Sequence, residues 1–179
     1  MAREVSLLVP EFRTKLQELL DACKARGVNM SPYFTLRTPQ EQGSEWRQGR
    51  SIADAELKAL ALENAKAPFL AACIRNNQPK ETNKVTNAIP GYSWHQWGEA
   101  CDCCWIDFNN KVNWSTTQVI NGVNGYQVYA EEAKKMGLTP GGYWTNLKDW
   151  PHVQLRPDAS PASLGVIAID AEMKKRFGS

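Results

Sequence analysis

Histidine is the scarcest chemically versatile residue in this 179-residue chain: there are two, His95 and His152. Long apolar runs are missing as well. The longest, residues 67–74, is eight residues with Pro68 inside it, far short of the roughly 18 to 20 a membrane-spanning helix needs. Near the start, Leu7, Leu8 and Val9 are cut off by Pro10, Glu11 and Arg13, too early for a signal-peptide core. The expectation is synthesis in the cytoplasm without Sec-type export, and no membrane insertion. A charge of one sign is lacking too. Twenty-one Lys and Arg balance nineteen Asp and Glu, and the basic residues are scattered, which argues against a nucleic-acid stripe. Five cysteines, an odd number without small-scaffold spacing, fit a reducing compartment better than a disulfide framework.

What is present reads as an ordinary folded domain. Hydrophobic residues make up 42% and charged residues 22%, enough to form a core without staples and too ordered a composition for disorder or coiled coil. Phe12, Leu16, Leu19, Leu20 and Cys23 recur at helical spacing behind Pro10, predicting an amphipathic helix over residues 10–26. Thr38 and Glu41 have capping-box spacing with Pro39 at the first helical position, so a short helix follows, through about Arg47. Residues 53–76 read as helix broken at Pro68, and 126–136 as a helix closed by Gly137. Strands are expected at 33–36, 100–108 and 152–155, with a long loop over 77–92 holding one short strand at 84–86. Helices and strands do not alternate as βαβ units, which predicts an α+β domain with a small antiparallel sheet.

The two histidines fall in Asp-bearing clusters. Asp102 follows His95 by seven residues, and Asp149 precedes His152 by three. Seven residues along a helix separate two side chains by about 10 Å, and along a strand by on the order of 20 Å with opposite faces. The chain must therefore reverse between His95 and Asp102 if both serve one centre, and Gly98 is where reversal is cheapest. One reading is a zinc ion held by His95, Asp102 and His152 with a fourth position left for water, and Asp149 as proton acceptor and donor. The other is that spacing alone marks no metal site.

A resemblance weighs between them. Ser93-Trp94-His95-Gln96-Trp97-Gly98-Glu99-Ala100-Cys101-Asp102 matches an SxHxxGxAxD pattern, and Gly141-Gly142-Tyr143-Trp144 followed by Asp149-Trp150-Pro151-His152 is similar to a GGxW…DxPH segment. Upstream, Leu36-Arg37-Thr38 with Gln42, then Gln48-Gly49-Arg50-Ser51, resembles an RTxxxQ…QGRS stretch, and residues 85–91 resemble the segment that precedes the first histidine. Together, over roughly residues 28–156, these resemble the zinc D-alanyl-D-alanine carboxypeptidase and L-alanyl-D-glutamate endopeptidase family, peptidoglycan hydrolases that include phage endolysins.

The resemblance implies a Hedgehog/DD-peptidase-like fold over residues 1–156, with 157–179 as a C-terminal extension in which Val166, Ile169, Met173 and Phe177 have the spacing of a docked helix. It implies one Zn2+ held by His95, Asp102 and His152. Asp149 would be general base and acid, and Arg37 would polarise the scissile carbonyl. Gln42 would support Arg37 or meet substrate, and Ser93 would sit beside the metal or the substrate; Trp150, adjoining Asp149 in the sequence, is a candidate wall for the cleft. The implied substrate is the peptidoglycan stem peptide. A wall-degrading site combined with no readable export signal predicts a phage or prophage endolysin acting at the cell wall after release, or else a toxin delivered by a secretion machine, and a monomer is expected. Two other readings compete: a cysteine amidase using a thiol of Cys101, Cys103 or Cys104 with His152, and a non-catalytic zinc-binding cell-wall module. Alternation along the strand would put Cys101, Cys103 and Trp105 on one face and Asp102 and Cys104 on the other.

Overall fold

The computed structural model describes residues 3–78 and 82–178. Among the described residues there are six α-helices and five strands, an α+β arrangement with an antiparallel sheet. The chain forms two compact units, one of residues 3–36 with Gly98–Pro157 and one of Arg37–Trp97 with residues 158–178.

The first unit is built on the sheet. Its central strand is β2 (Ala100–Ile106), flanked along one edge by β1 (Asn29–Phe34). The other edge is shared by β5 (His152–Gln154) and the short β3 (Val112–Asn113), and β4 (Thr139–Pro140) continues outward from β5. Helix α1 (Pro10–Ala25) starts on a proline and buries Phe12, Leu16, Leu19 and Cys23. Helix α5 (Gly125–Lys135), capped by the Asn124 side chain accepting from Gln127 N–H, buries Tyr126, Val128 and Tyr129. Those two faces and the Cys101, Cys103, Trp105 face of β2 make one hydrophobic core. Lys134 and Lys135 fall in the last turn of α5, where they suit the helix dipole, and Gly137 follows at φ +74°.

The second unit is helical. Helix α2 (Pro39–Arg47) opens with the Thr38–Glu41 capping box, and α3 (Ile52–Asn64) opens with a second one, Ser51–Asp54. Helix α4 (Pro68–Arg75) begins with Ala67 at the N-cap, a residue that cannot accept a hydrogen bond through its side chain. The missing acceptor comes from α6 (Val166–Phe177), whose Asp170 Oδ1 accepts from Leu70 N–H at 2.9 Å in a buried setting. Ile169 and Met173 of α6 pack into the same core as Leu70, Ala71 and Ile74.

Most sequence expectations match these elements to within a few residues. The break at Pro68 is a three-residue link, with Lys66 at φ +63°, before the proline restarts the helix. Two expectations differ. The strand expected at 33–36 lies earlier, at 29–34, and residues 84–86 form no strand. The segment around residues 82–90 is instead tied down by side chains. Arg50 donates to Thr86 O at 2.9 Å and to Asn87 Oδ1 at 3.3 Å, and Gln42 Nε2 donates to Ala88 O at 2.7 Å.

Asp170→Ala removes the acceptor from a buried N–H, which costs about 1–3 kcal/mol. Urea unfolding should register a loss of that size, and an unchanged midpoint would show that the α6 to α4 hydrogen bond contributes nothing.

Candidate metal centre

Strand pairing places the first two site residues. In the β2–β5 ladder Asp102 stands directly opposite His152. Side chains of directly opposed residues project from the same face with Cβ atoms about 5 Å apart. The result is His152 Nδ1 3.0 Å from Asp102 Oδ1. His152 is 6% exposed, and its other ring nitrogen, Nε2, lies 3.0 Å from Gln154 Oε1. Burial alone would push the His152 pKa down. The hydrogen bond and charge of Asp102, with the Asp149 charge and Gln154 adding to them, outweigh that and lift it above the usual imidazole range.

His95 stands on a 3-10 turn, Trp94–Trp97, that ends on Gly98 at φ +71°, after which β2 begins. Glycine is needed there on two counts, since a Cβ would also sit 3.1 Å from Leu7 O. The turn is held by Gln96: its Oε1 accepts from Ser93 N–H at 3.1 Å, and its Nε2 donates to Gln42 Oε1 at 3.0 Å. Ser93 Oγ accepts from His95 N–H at 3.4 Å. Arg37 is joined to the same turn through its backbone, its N–H donating to His95 O at 3.3 Å. The Arg37 guanidinium donates from Nη1 to Gln42 Oε1 at 3.1 Å. Gln42 has no exposed surface, so its position suits holding the arginine.

His95, Asp102 and His152 present ligand atoms that all lie within 4.8 Å of one another. Two imidazoles and a carboxylate are a donor set that zinc accepts. The 3.0 Å between His152 and Asp102 is close to the edge, about 3.3 Å, of a tetrahedron with bonds near 2.05 Å. The residues fit a divalent zinc ion.

Asp149 and Trp150 are placed by the two glycines of the GGxW segment. The Gly141 carbonyl accepts from both Trp144 N–H, at 3.1 Å, and Asp149 N–H, at 3.0 Å, and the Asp149 carbonyl in turn accepts from His152 N–H at 3.1 Å. A Cβ on Gly141 would run into the Asp149 backbone, and one on Gly142 into the Trp150 ring. Both glycines are therefore spacing residues that let the segment carrying Asp149 lie against the sheet end.

Sequence reasoning missed three residues around His152. Gln154 is 1% exposed and shares the His152 face of β5, two residues on. Glu99 and Arg156 clamp the far end of the β2–β5 pair, with Arg156 Nε donating to Glu99 Oε2 and Nη2 donating to Oε1 at 3.1 Å. The available signal was a polar residue at alternate spacing in a short apolar strand. The cysteines lie where alternation puts them, Cys101 and Cys103 in the core with their Sγ atoms 3.8 Å apart. A hydrogen bond with Cys103, then burial, push the Cys101 thiol well above its usual range, and burial raises Cys104 as well. Protonated buried thiols make poor nucleophiles, which argues against the cysteine amidase.

Residues 6–143 match the family model described as VanY, D-alanyl-D-alanine carboxypeptidase, and the chain belongs to that family. The matched region takes in Arg37, Gln42, Ser93, His95 and Asp102, while Asp149, Trp150 and His152 lie beyond it. Over 86 residues the chain is 30% identical to the peptidoglycan L-alanyl-D-glutamate endopeptidase CwlK of Bacillus subtilis. That stretch is 47% of this chain and 52% of the relative, so the match spans about half the relative's length. Among solved structures, the chain is similar to the L-Ala D-Glu endopeptidase ChiX of Serratia marcescens, at 17% identity, TM-score 0.41, covering 85% of this chain and 83% of the other. It is also similar to a variant of the vancomycin-resistance D,D-pentapeptidase VanY from a VanB-type cassette, in complex with Zn(II). There the identity is 22% and the TM-score 0.48, covering 82% of this chain and 71% of the other.

Metal-free protein offers a direct test of the Asp102–His152 pair. Because the ring is more basic folded than unfolded, its contribution to stability is full at acid pH and is lost as pH rises through the folded value. NMR titration should place the His152 midpoint above the usual imidazole range. In Asp102→Asn the largest opposition to burial is removed and the midpoint should fall from that of the parent. An unmoved midpoint in the variant would contradict the pairing.

Proposed function

We propose that the protein is a zinc-dependent peptidase that hydrolyses the stem peptide of bacterial peptidoglycan, of the L-alanyl-D-glutamate endopeptidase or D-alanyl-D-alanine carboxypeptidase type. The observation that carries this reading is the group of His95, Asp102 and His152 in a chain that belongs to the VanY family. These three residues would hold one zinc ion, which when bound supplies a Lewis acid that acidifies water and polarises a carbonyl.

The chain's own groups then divide the remaining work. Asp149 takes the proton of the attacking water and returns it to the leaving amine, since neither histidine is left over to act as base. Its backbone is fixed at both ends, by Gly141 O and by His152 N–H, and its charge is felt at His152. Arg37, held by Gln42, places a permanent positive charge for the oxygen that becomes anionic as the carbonyl turns tetrahedral. Ser93 steadies the turn that bears His95. Trp150, half-buried over Gly142, offers an aromatic wall to the stem peptide. Peptidase function is assigned to residues 1–156, acting as a monomer. In this reading the enzyme works at the cell wall as an endolysin, and expression in bacteria should cause lysis only once the inner membrane is permeabilised.

Digestion of purified sacculi followed by mass spectrometry tests the activity and identifies the bond. A chelator should abolish the release of new peptide termini and zinc should restore it. Asp149→Ala should retain zinc and lose about 100-fold or more in rate. Arg37→Ala should lose on the order of 100-fold in kcat. Full activity of the Asp149 variant, indifference to chelation, or loss of activity on thiol alkylation would overturn the reading, as would binding to sacculi without any new termini.

A further inference from the structure

His152 has two ring nitrogens, and only one can carry a lone pair toward a metal while the other carries the proton. Which one does so is set by Gln154. The Gln154 side chain is enclosed, 1% exposed, and its Nε2 donates to the backbone carbonyl of Arg156 at 2.8 Å. A carbonyl oxygen can only accept, so the NH2 end of the amide belongs at that position. The reversed amide would set two acceptor oxygens against each other. The oxygen end therefore faces His152, and it lies 3.0 Å from Nε2. An amide oxygen can only accept in turn, so Nε2 must bear a hydrogen. What remains is Nδ1, which lies beside the Asp102 carboxylate.

The carbonyl at the origin of this chain is itself held. Arg156 is clamped through its guanidinium to Glu99, which is 8% exposed, and Leu155 N–H donates to Glu99 O at 2.9 Å. Gln154 also pairs across the ladder with Ala100, two residues from Asp102, so the amide and the ring ride on one rigid pair of strands.

We propose that Gln154 is a positioning residue for the metal centre: Arg156 O orients its amide, and its amide oxygen fixes the protonated Nε2 of His152 so that Nδ1 faces the metal beside Asp102. The inference rests on the zinc reading above and adds to it the ring nitrogen used and the residue that selects it. Accepting the Nε2 proton also increases the basicity of Nδ1.

The test uses the full-length protein loaded with cadmium-113 or zinc and labelled with nitrogen-15 in histidine. His152 should show metal coupling at Nδ1 and a retained proton on Nε2. Competition with a chromophoric chelator should show zinc binding weakened about 10 to 100-fold in Gln154→Met. Gln154→Glu keeps an acceptor facing Nε2 but sets its second oxygen against Arg156 O, so it should recover only part of the affinity. A role in packing alone would lower both variants' unfolding midpoints without separating their zinc affinities. Metal coupling at Nε2, or a folded Gln154→Met variant that binds zinc as tightly as the parent, would overturn the proposal and leave the zinc reading standing. Should Gln154→Met fail to fold, the spectrum of the parent protein decides. Absence of stoichiometric metal binding in the parent would overturn the zinc reading, and the proposal with it.

Discussion

The β2–β5 register governs the candidate centre. Asp102 and His152 are 50 residues apart in the chain and meet only because they are directly opposed across two antiparallel strands. A slip of one residue would turn either side chain to the opposite face, where Cys101, Cys103 and Val153 fill the core. The apolar face of the ladder therefore fixes the polar one. The hydrophobic packing of α1 and α5 on those residues is what keeps a carboxylate and an imidazole at bonding distance.

Pleating also separates two kinds of metal-loving side chain. Thiolates bind zinc avidly, and three cysteines lie within two residues of Asp102. Cys101 and Cys103 point into the core, and Cys104, which shares the Asp102 side of the strand, directs its thiol to the Ser31 carbonyl. Raised thiol pKa values at Cys101 and Cys104 follow from the same enclosure. The strand thus carries soft and hard donors at adjacent positions and offers only the hard one, Asp102, to the group that could hold a metal.

Much of this was legible in the sequence because the signals were local. The capping box at Thr38, the helix starts at Pro10 and Pro39 and the break at Pro68 declare themselves within four residues, and the structure has each of them. Gly98 was read from the need for reversal between His95 and Asp102, and it takes a left-handed backbone. Register was not readable from spacing: the Asp102–His152 pairing depends on where both strands begin, and the family motifs, not periodicity, joined the two clusters. Gln154 went unnoticed for a related reason. Its importance lies in the direction of a hydrogen-bond chain ending on a backbone carbonyl, and no sequence pattern records that. The early start of β1, at Asn29, was hidden by Pro32, a residue that usually argues against a strand interior but is tolerated at an edge.

The Gly141 carbonyl anchors both ends of one loop, binding Trp144 N–H where it departs and Asp149 N–H where it returns. Leu147 lies exposed inside that loop, and Lys148 at its close sets its ammonium over the Trp150 ring, 5.6 Å from the centroid. Such an arrangement insulates chemistry from variation. Side chains at residues 145–147 can therefore change without displacing the Asp149 backbone, because the carbonyl that positions it lies outside them. The constraint falls on the glycine, and the freedom on the residues it encloses.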